Sequence, residues 1–558
     1  MHPSERRTRY ERALTLRAHR RKFLLGGLGL ATTGLVATSY RGSATRVLGQ
    51  TSTASPVAGG MASPIASAAG GVPLFTLGVA SGDPLPNGVV LWTRLAASPT
   101  GGGGMDPVPY EVRWEVADDD AFTKIVQAGM AVASPVLAHS VHVDVTGLEP
   151  GRDYFYRFMI GDETSQTGRT KTAPADGAVV DRLRFGFASC SNYEHGYFTA
   201  YRDMAAQGFD LIFHLGDYIY EYETGGYAVR DEGPLRESTG DDDATGETDT
   251  LVEYRNRFAL YRTDPDLQAA HASAPWLVTW DDHETENDYA GALSENFDPA
   301  AVFLARRAAA YQAYYEMMPL RPSSVPQGPD MQLYRRLRYG GLAEFSVLDT
   351  RQYRSDQPCG DGLQVRCPAA VDPETTMLGP AQERWLLEGL DCSGATWNVL
   401  AQQIQMAELE QGEGETDLYW QDSWPGYPAA RNRILGHLMS RGISNPVVLT
   451  GDIHTAWAND LKADWADPAS ATIATEYICT SITAGGTKPA TFFEPYVAAA
   501  PHIKFFDPNH GGYTAVEVTP DLWRSDFVRV TDLLNPESSV ERVASFVTEA
   551  GHPGVQPA

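Results

Sequence analysis

Residues 211–220 read LIFHLGDYIY: a short apolar run that stops on Gly216 and is followed at once by a carboxylate, Asp217, and a phenol, Tyr220. Unbroken hydrophobicity over so few residues predicts a strand buried on both faces. Three further stretches repeat the pattern. LRFGFASCSN (183–192) runs from Leu183–Ala188 into Cys190 and Asn192, WLVTWDDHE (276–284) into Asp281, Asp282, His283 and Glu284, and PVVLTGDIH (446–454) into Asp452 and His454. A fifth run, Trp397–Leu400, leads into Ala401, Gln402 and Gln403. Helical patterns at Ala300–Met318 and Pro380–Leu390 lie between these strands. Residues 181–546 are therefore expected to form an α/β domain of mixed β-sheets flanked by helices. Ligands in such sheets sit beyond the carboxyl ends of strands. Four ends bearing thiol, carboxylate, phenol or imidazole on the rim of one sheet suit a polynuclear metal site, whose donors must arrive from separate segments.

Before this region the period changes to two. Val89–Trp92, Tyr110–Val116, Val141–Val145 and Tyr154–Phe158 read as short antiparallel strands. Leu148-Glu149-Pro150-Gly151-Arg152-Asp153-Tyr154 has tyrosine-corner spacing, so residues 73–175 are expected to form a fibronectin-III/Ig-like all-β sandwich, with Gly101–Gly104 as a mobile hairpin loop. A packing or spacing role is the plainer expectation for it, carbohydrate or protein binding the sharper one. Residues 1–49 carry Arg20-Arg21, Lys22 and the apolar run Phe23–Ala37, the pattern of a twin-arginine (Tat) export signal. That run is shorter than the roughly 18–20 residues a membrane span needs. Residues 50–72 read as a flexible Ser/Ala/Gly/Pro tether. The mature protein is expected to be soluble outside the cytoplasm: extracellular, periplasmic or associated with the cell wall.

The first 50 residues hold ten Lys/Arg and two acids; the other 34 basic and 69 acidic side chains leave a body of charge −35, against −27 for all 558 residues. Such a body repels polyphosphate backbones, which excludes a broad nucleic-acid-binding surface. Five cysteines are an odd number for an exported chain. Cys359 and Cys367 bracket a Gly/Asp loop and are the plausible disulfide; Cys392 and Cys479 either pair or stay buried; Cys190 is left over, at a strand end.

The order Gly216-Asp217-x-x-Tyr220, Asp282-His283-Glu284, Gly451-Asp452-x-His454 resembles the calcineurin-like metallophosphoesterases in the variant of the PhoD-type alkaline phosphatases, over Leu77 to Phe546. Leu348–Arg354 and Ala310–Tyr315 resemble the same family. Against the wider superfamily, Cys190 stands for the first Asp, Asp282 for an Asn and Asp452 for a His. The resemblance implies one site of Cys190, Asp217, Tyr220 and His454, whose thiolate and phenolate suit Fe³⁺. It implies a second, all-oxygen site of Asp217, Asp282 and Asp452 suited to Ca²⁺, with one or two calcium ions in total. Asn287, Gln402 and Gln403 are candidates to complete the shell.

The expected reaction is direct hydrolysis of a phosphate ester by a hydroxide bridging the metals. His283 would meet the phosphate or protonate the leaving group, oriented by Glu284 or Asp281. Asn192, His195 and an arginine such as Arg255 or Arg351 are candidate phosphate contacts, and the acidic loop Asp231–Asp249 a candidate lid or calcium-binding loop beside its plainer reading as solvated surface. No Gly-x-Ser-x-Gly elbow suggests a covalent route. Two other functions stay open: a phosphodiesterase or phospholipase D-like hydrolase of phospholipid or teichoic acid, and a surface-binding protein that has lost activity.

Overall fold

In the computed structural model two large sheets lie face to face, and their shared core fixes where the strand ends meet. The structure describes residues 71–227, 233–236, 246–412, 417–485, 490–508 and 510–558. The export signal, nearly all of the tether and most of the Asp231–Asp249 loop lie outside the described residues.

The first sheet has ten strands, in spatial order His552–Pro557, Val540–Glu549, Leu522–Val530, Gly512–Val518, Leu183–Ala188, Leu211–His214, Pro275–Val278, Val79–Leu85, Gly88–Arg94 and Ser140–Thr146. Leu183–Ala188, Leu211–His214 and Pro275–Val278 run parallel, and both outer flanks are antiparallel. The second has seven: Arg335–Tyr339, Ala343–Val347, Trp397–Ala401, Pro446–Thr450, Thr472–Ile478, Ala456–Lys462 and Ile503–Asp507. Phe185, Phe187, Phe213 and Leu277 of the first sheet are buried against Phe345, Val399, Val447 and Leu449 of the second. The Phe185 ring meets Phe213, Phe345 and Trp523 edge-on, with centroids 5.2, 5.6 and 5.6 Å away. Helices Leu251–Arg262, Pro265–Ser273 and Ala300–Met317 cover the outer face of the first sheet, and Gly379–Cys392 and Pro428–Arg441 that of the second.

The four motif-bearing strands are therefore not on one sheet. Cys190, Asp217 and Asp282 follow strands of the first, and Asp452 and His454 follow Pro446–Thr450 of the second. Each sheet is buried on both faces, which is why all four strands have the same unbroken apolar signature and could not be told apart by pattern.

The amino-terminal β region also differs from a free-standing module. Val79–Leu85 pairs in parallel with Pro275–Val278, so three strands of that region extend the first sheet. Ile125–Ala133, Tyr110–Ala117, Asp153–Ile160 and two short strands form a separate layer. The two layers share a core that includes Val89, Leu91, Val112, Val143 and Tyr156. The Tyr154 hydroxyl accepts from the Glu149 N–H at 3.0 Å, the expected corner. Gly101–Gly104 closes a hairpin through Ser98, and Gly102 N–H donates to Asn256 at 3.0 Å, which pins the loop expected to be mobile. Cys359 and Cys367 are bonded, whereas Cys190, Cys392 and Cys479 are free; Cys392 is exposed and Cys479 buried, so they do not pair. Among the described residues no helix is long and apolar enough to cross a membrane.

Because Phe185 fills the space between the two sheets, Phe185→Ala is expected to cost about 3–5 kcal/mol, read by equilibrium urea unfolding. A loss below about 1 kcal/mol would mean the sheets are held together elsewhere.

Candidate functional site

Asp217 is the hub. Its carboxylate is buried, and Oδ2 lies 3.4 Å from both the Cys190 thiol and the Tyr220 hydroxyl. The Tyr220 hydroxyl is 2.9 Å from His454 Nε2, while His454 Nδ1 donates to the Gly485 carbonyl at 3.2 Å. That hydrogen bond leaves the Nε2 lone pair directed at the cluster, as a metal-ligating histidine requires. Burial drives His454 down to about 4, so its imidazole is neutral. Burial, reinforced by the charge of Asp217, pushes the Cys190 thiol and the Tyr220 phenol well above their ordinary values. The four residues expected in one donor set are thus brought together.

The other oxygen, Asp217 Oδ1, is buried with no hydrogen-bond partner. Donor atoms of Asp217, Asp281, Asp282 and Asp452 all lie within 4.8 Å of one another, an all-oxygen group. Burial, with Asp282 and Asp281 nearby, holds Asp217 well above the carboxylate range, and burial with Asp281 does the same to Asp452. An unpartnered buried oxygen among close carboxylates costs several kcal/mol without a counter-charge, so these residues fit bound cations. Cys190, Asp217, Asp452 and His454 all have left-handed backbone, with φ of 61°, 54°, 65° and 59°. Strained dihedrals of this kind mark sites the surroundings over-determine.

His283 lies against the hub: one of its ring nitrogens is within 4.8 Å of Asp217 and Asp282 oxygens. Its Nδ1 donates to Glu221 Oε2 at 2.8 Å, and Glu221 Oε1 accepts the Asn287 N–H at 2.9 Å. Burial opposes charge on this ring, but the carboxylates of Glu221, Asp282 and Asp217 outweigh it and hold His283 well above its ordinary value. A protonated imidazole beside a carboxylate-rich metal site can donate a proton to an ester oxygen.

Residues 185–527 match the PhoD-like phosphatase family, and residues 60–174 match the amino-terminal domain of PhoD-like phosphatases. The chain belongs to the PhoD-like phosphatase family. It is 49% identical over 484 residues to alkaline phosphatase D of Bacillus subtilis (strain 168), covering 86% of this chain and 82% of that protein. A solved structure described as "Structure of PhoD" superposes with a TM-score of 0.83 at 49% identity, covering 87% of this chain and 92% of the other. Its activity class is accordingly phosphoric-ester hydrolysis, and its substrates are phosphate esters.

Within this PhoD-like site several side chains do other work than expected. Glu284 does not orient His283; it accepts the backbone N–H groups of Asp217, Tyr218 and Asp281 at 3.1, 2.5 and 2.8 Å and fixes the loop that carries the hub. Asp281 pairs with Arg351 Nε, whose Nη1 donates to Asp422 at 2.7 Å and whose Nη2 stands 3.6 Å from Asp282 and 3.8 Å from Asp452. Arg351 is fully buried and neutralises carboxylates. Arg255 is paired with Glu316 at 2.6 Å, beside Val136. Gln402 bonds Ile404, Thr450 and Trp424, and Gln403 bonds Thr279, Leu348 and Thr350, so both amides are engaged with protein groups. Asn287 gives its side-chain N–H to Glu295 at 3.0 Å. Both His195 nitrogens face backbone, Tyr227 O and Gly485 N–H. Asn192 Oδ1 caps the Glu194 N–H at 2.9 Å.

Glu221, the partner sequence reading missed, follows Tyr220 directly; nothing in its spacing marks it as the anchor of a histidine 62 positions on. Glu221→Gln keeps its shape and removes its charge, and kcat is expected to fall about 10–100-fold, the usual cost of losing such a support. The sign of the pH effect follows from the raised value. Charged His283 is present below its pKa and lost as pH rises through it, and withdrawing Glu221 lowers that pKa. The alkaline limb of the rate profile should therefore move to lower pH; an unmoved limb would separate Glu221 from the ionisation of His283.

Proposed function

We propose that this chain is an exported metal-dependent phosphatase in which Cys190, Asp217, Tyr220 and His454 hold Fe³⁺, and Asp217, Asp282 and Asp452 hold Ca²⁺, with one or two calcium ions in all. The observation that carries the reading is Asp217 itself, with one oxygen 3.4 Å from a thiol and a phenol, the other unpartnered, and an imidazole and three carboxylates within 4.8 Å of its carboxylate. Thiolate and phenolate favour a trivalent transition metal, and oxygen-only donors a hard cation. Cys190 and Tyr220 must lose protons to bind, and their raised values mean that metal affinity rises with pH. Bound metals supply positive charge for the phosphoryl oxygens and a lowered pKa for the attacking water.

The chain's own residues supply orientation and the proton. Asp217 ties the two donor sets into one rigid unit. Asn192, its oxygen held by the Glu194 N–H, presents its amide nitrogen to a phosphoryl oxygen. His283, charged and fixed by Glu221, gives its remaining N–H proton to the leaving-group oxygen, which converts a poor alkoxide leaving group into an alcohol. Export by the Tat route is supported by Arg20-Arg21 and the short apolar run that follows, with an extracellular, periplasmic or cell-wall destination. The fibronectin-III/Ig-like reading of the amino-terminal layers is supported by the Tyr154 corner.

Cys190→Ser is expected to lower iron content and shift any ligand-to-iron absorption while the fold persists; unchanged iron would remove the thiol from the ligand set. His283→Ala should retain metals and lose about 10²–10⁴-fold in rate. Assays with 4-nitrophenyl phosphate and bis(4-nitrophenyl) phosphate separate monoesterase from diesterase action. Metal-loaded protein that cleaves neither ester would overturn the reading.

A further inference from the structure

His195 takes no part in the chemistry above, yet it is 6% exposed and both ring nitrogens are engaged. Nε2 donates to the Tyr227 carbonyl at 2.6 Å, and Nδ1 accepts the Gly485 N–H at 3.1 Å. The two residues it joins converge on the Cys190 site. The Gly485 carbonyl accepts from His454 Nδ1 at 3.2 Å and from the Tyr227 hydroxyl at 3.3 Å. The Tyr227 ring stacks on Tyr220 with centroids 5.8 Å apart and planes 8° from parallel. With Tyr222 it packs against the buried cluster of Cys190, Tyr220 and Ala484. The remaining bonds of this loop reach the segment that carries the thiol: Thr483 and Ala484 N–H meet the Cys190 carbonyl at 3.4 and 3.1 Å, and the Thr483 hydroxyl donates to Asn192 O at 2.6 Å.

We propose that His195 is a positioning residue: by clamping Tyr227 to Gly485 it holds the carbonyl that keeps the His454 proton on Nδ1, and it seats the Tyr227 ring as a roof over the Cys190 thiol. The proposal rests on the reading of Cys190, Asp217, Tyr220 and His454 as metal ligands. It makes two separable statements, one about a ligand's tautomer and one about access to a thiol. An ordinary core histidine would affect neither selectively, because its loss would loosen the surroundings evenly.

The test compares full-length protein carrying Cys392→Ser, which removes the exposed thiol, with its His195→Ala and His195→Gln derivatives. Glutamine is the conservative variant because an amide both donates and accepts. In metal-free protein, iodoacetamide alkylation of Cys190 is followed by peptide mass spectrometry, with buried Cys479 as internal reference. The alanine variant is expected to react about tenfold faster at Cys190, the local opening that loss of two hydrogen bonds allows. The glutamine variant should stay near the parent. In iron-loaded protein, iron loss to a chelator should accelerate about 10–100-fold with alanine and be largely restored with glutamine. An unchanged Cys190 rate, or an equal rise at Cys190 and Cys479, overturns the clamp. If the parent holds no iron, the ligand reading fails and the alkylation comparison still decides the clamp. Should His195→Ala not fold, His195→Asn, whose amide is too short to reach both the Tyr227 carbonyl and the Gly485 N–H, is read in the same way.

Discussion

Everything at the catalytic rim follows from crowding carboxylates into a buried place. Asp217, Glu221, Asp281, Asp282, Glu284 and Asp422 are buried within one set of connected loops. In a low-dielectric interior each ionised carboxylate costs several kcal/mol unless it is paired or hydrogen-bonded. The protein answers all of their oxygens but Asp217 Oδ1 and Asp281 Oδ2 among the described residues. Arg351 and Arg354 meet Asp281 and Asp422, three backbone N–H groups meet Glu284, His283 meets Glu221, and two backbone N–H groups, of His283 and Asp288, meet Asp282. Asp217 keeps an oxygen with no partner, and partly exposed Asp452 is held above its ordinary range like Asp217. A site that pairs most of its supports and leaves an oxygen of its hub unsatisfied is preorganised for cations, because the electrostatic cost is already built into the fold.

That arrangement is held by cross-links between strand-end loops, some within one sheet and some between the two. Ser189 pairs with Ser481, the Cys190 N–H donates to Gly216 O at 3.1 Å, and the Gly451 N–H donates to Gln403 O at 2.7 Å. Gly451 has to be glycine for a local reason: a Cβ there would sit 2.5 Å from the Ser189 hydroxyl. Gln403 braces the rim. It ties Thr279, after a strand of the first sheet, to Leu348 and Thr350, after a strand of the second, with bonds of 2.7 to 2.8 Å. At this strand end an amide side chain holds the two sheets in register. The left-handed backbone at four donor residues persists because such bonds leave it no alternative.

The sequence makes the donors visible and conceals most of their supports. Cys190, Asp217, Tyr220, Asp282, Asp452 and His454 stand directly after apolar runs, so strand-end reasoning finds them and the four strands that lead to them. What it cannot find is which sheet each strand joins, because burial on both faces produces the same unbroken pattern in either. It also assigns His283 to the carboxylates nearest in sequence, Glu284 and Asp281, whereas the pairing made in space is with Glu221. A helix or strand advertises its neighbours through periodicity, but a loop-to-loop hydrogen bond has no period. The pairing of the arginines is hidden from the sequence for a related reason. Arg351 looks like a phosphate ligand in an anion-handling protein until its surroundings show four carboxylates within 4 Å.

That reassignment sharpens how so acidic a body can take an anionic substrate. The net charge outside the first 50 residues is −35, and the guanidinium buried at the rim is already committed to Asp281 and Asp422. Long-range attraction for a phosphate ester is therefore absent, and the positive charge must be local: the proposed cations together with protonated His283. In the proposed site Asn192 would offer a neutral amide, which orients an oxygen but does little to offset repulsion. Binding and chemistry then draw on the same few charges. Removing the cations would leave buried carboxylates facing a dianion, so metal content should govern KM as strongly as kcat, unlike a phosphatase that grips its substrate with free arginines and uses metal for the bond-breaking step alone.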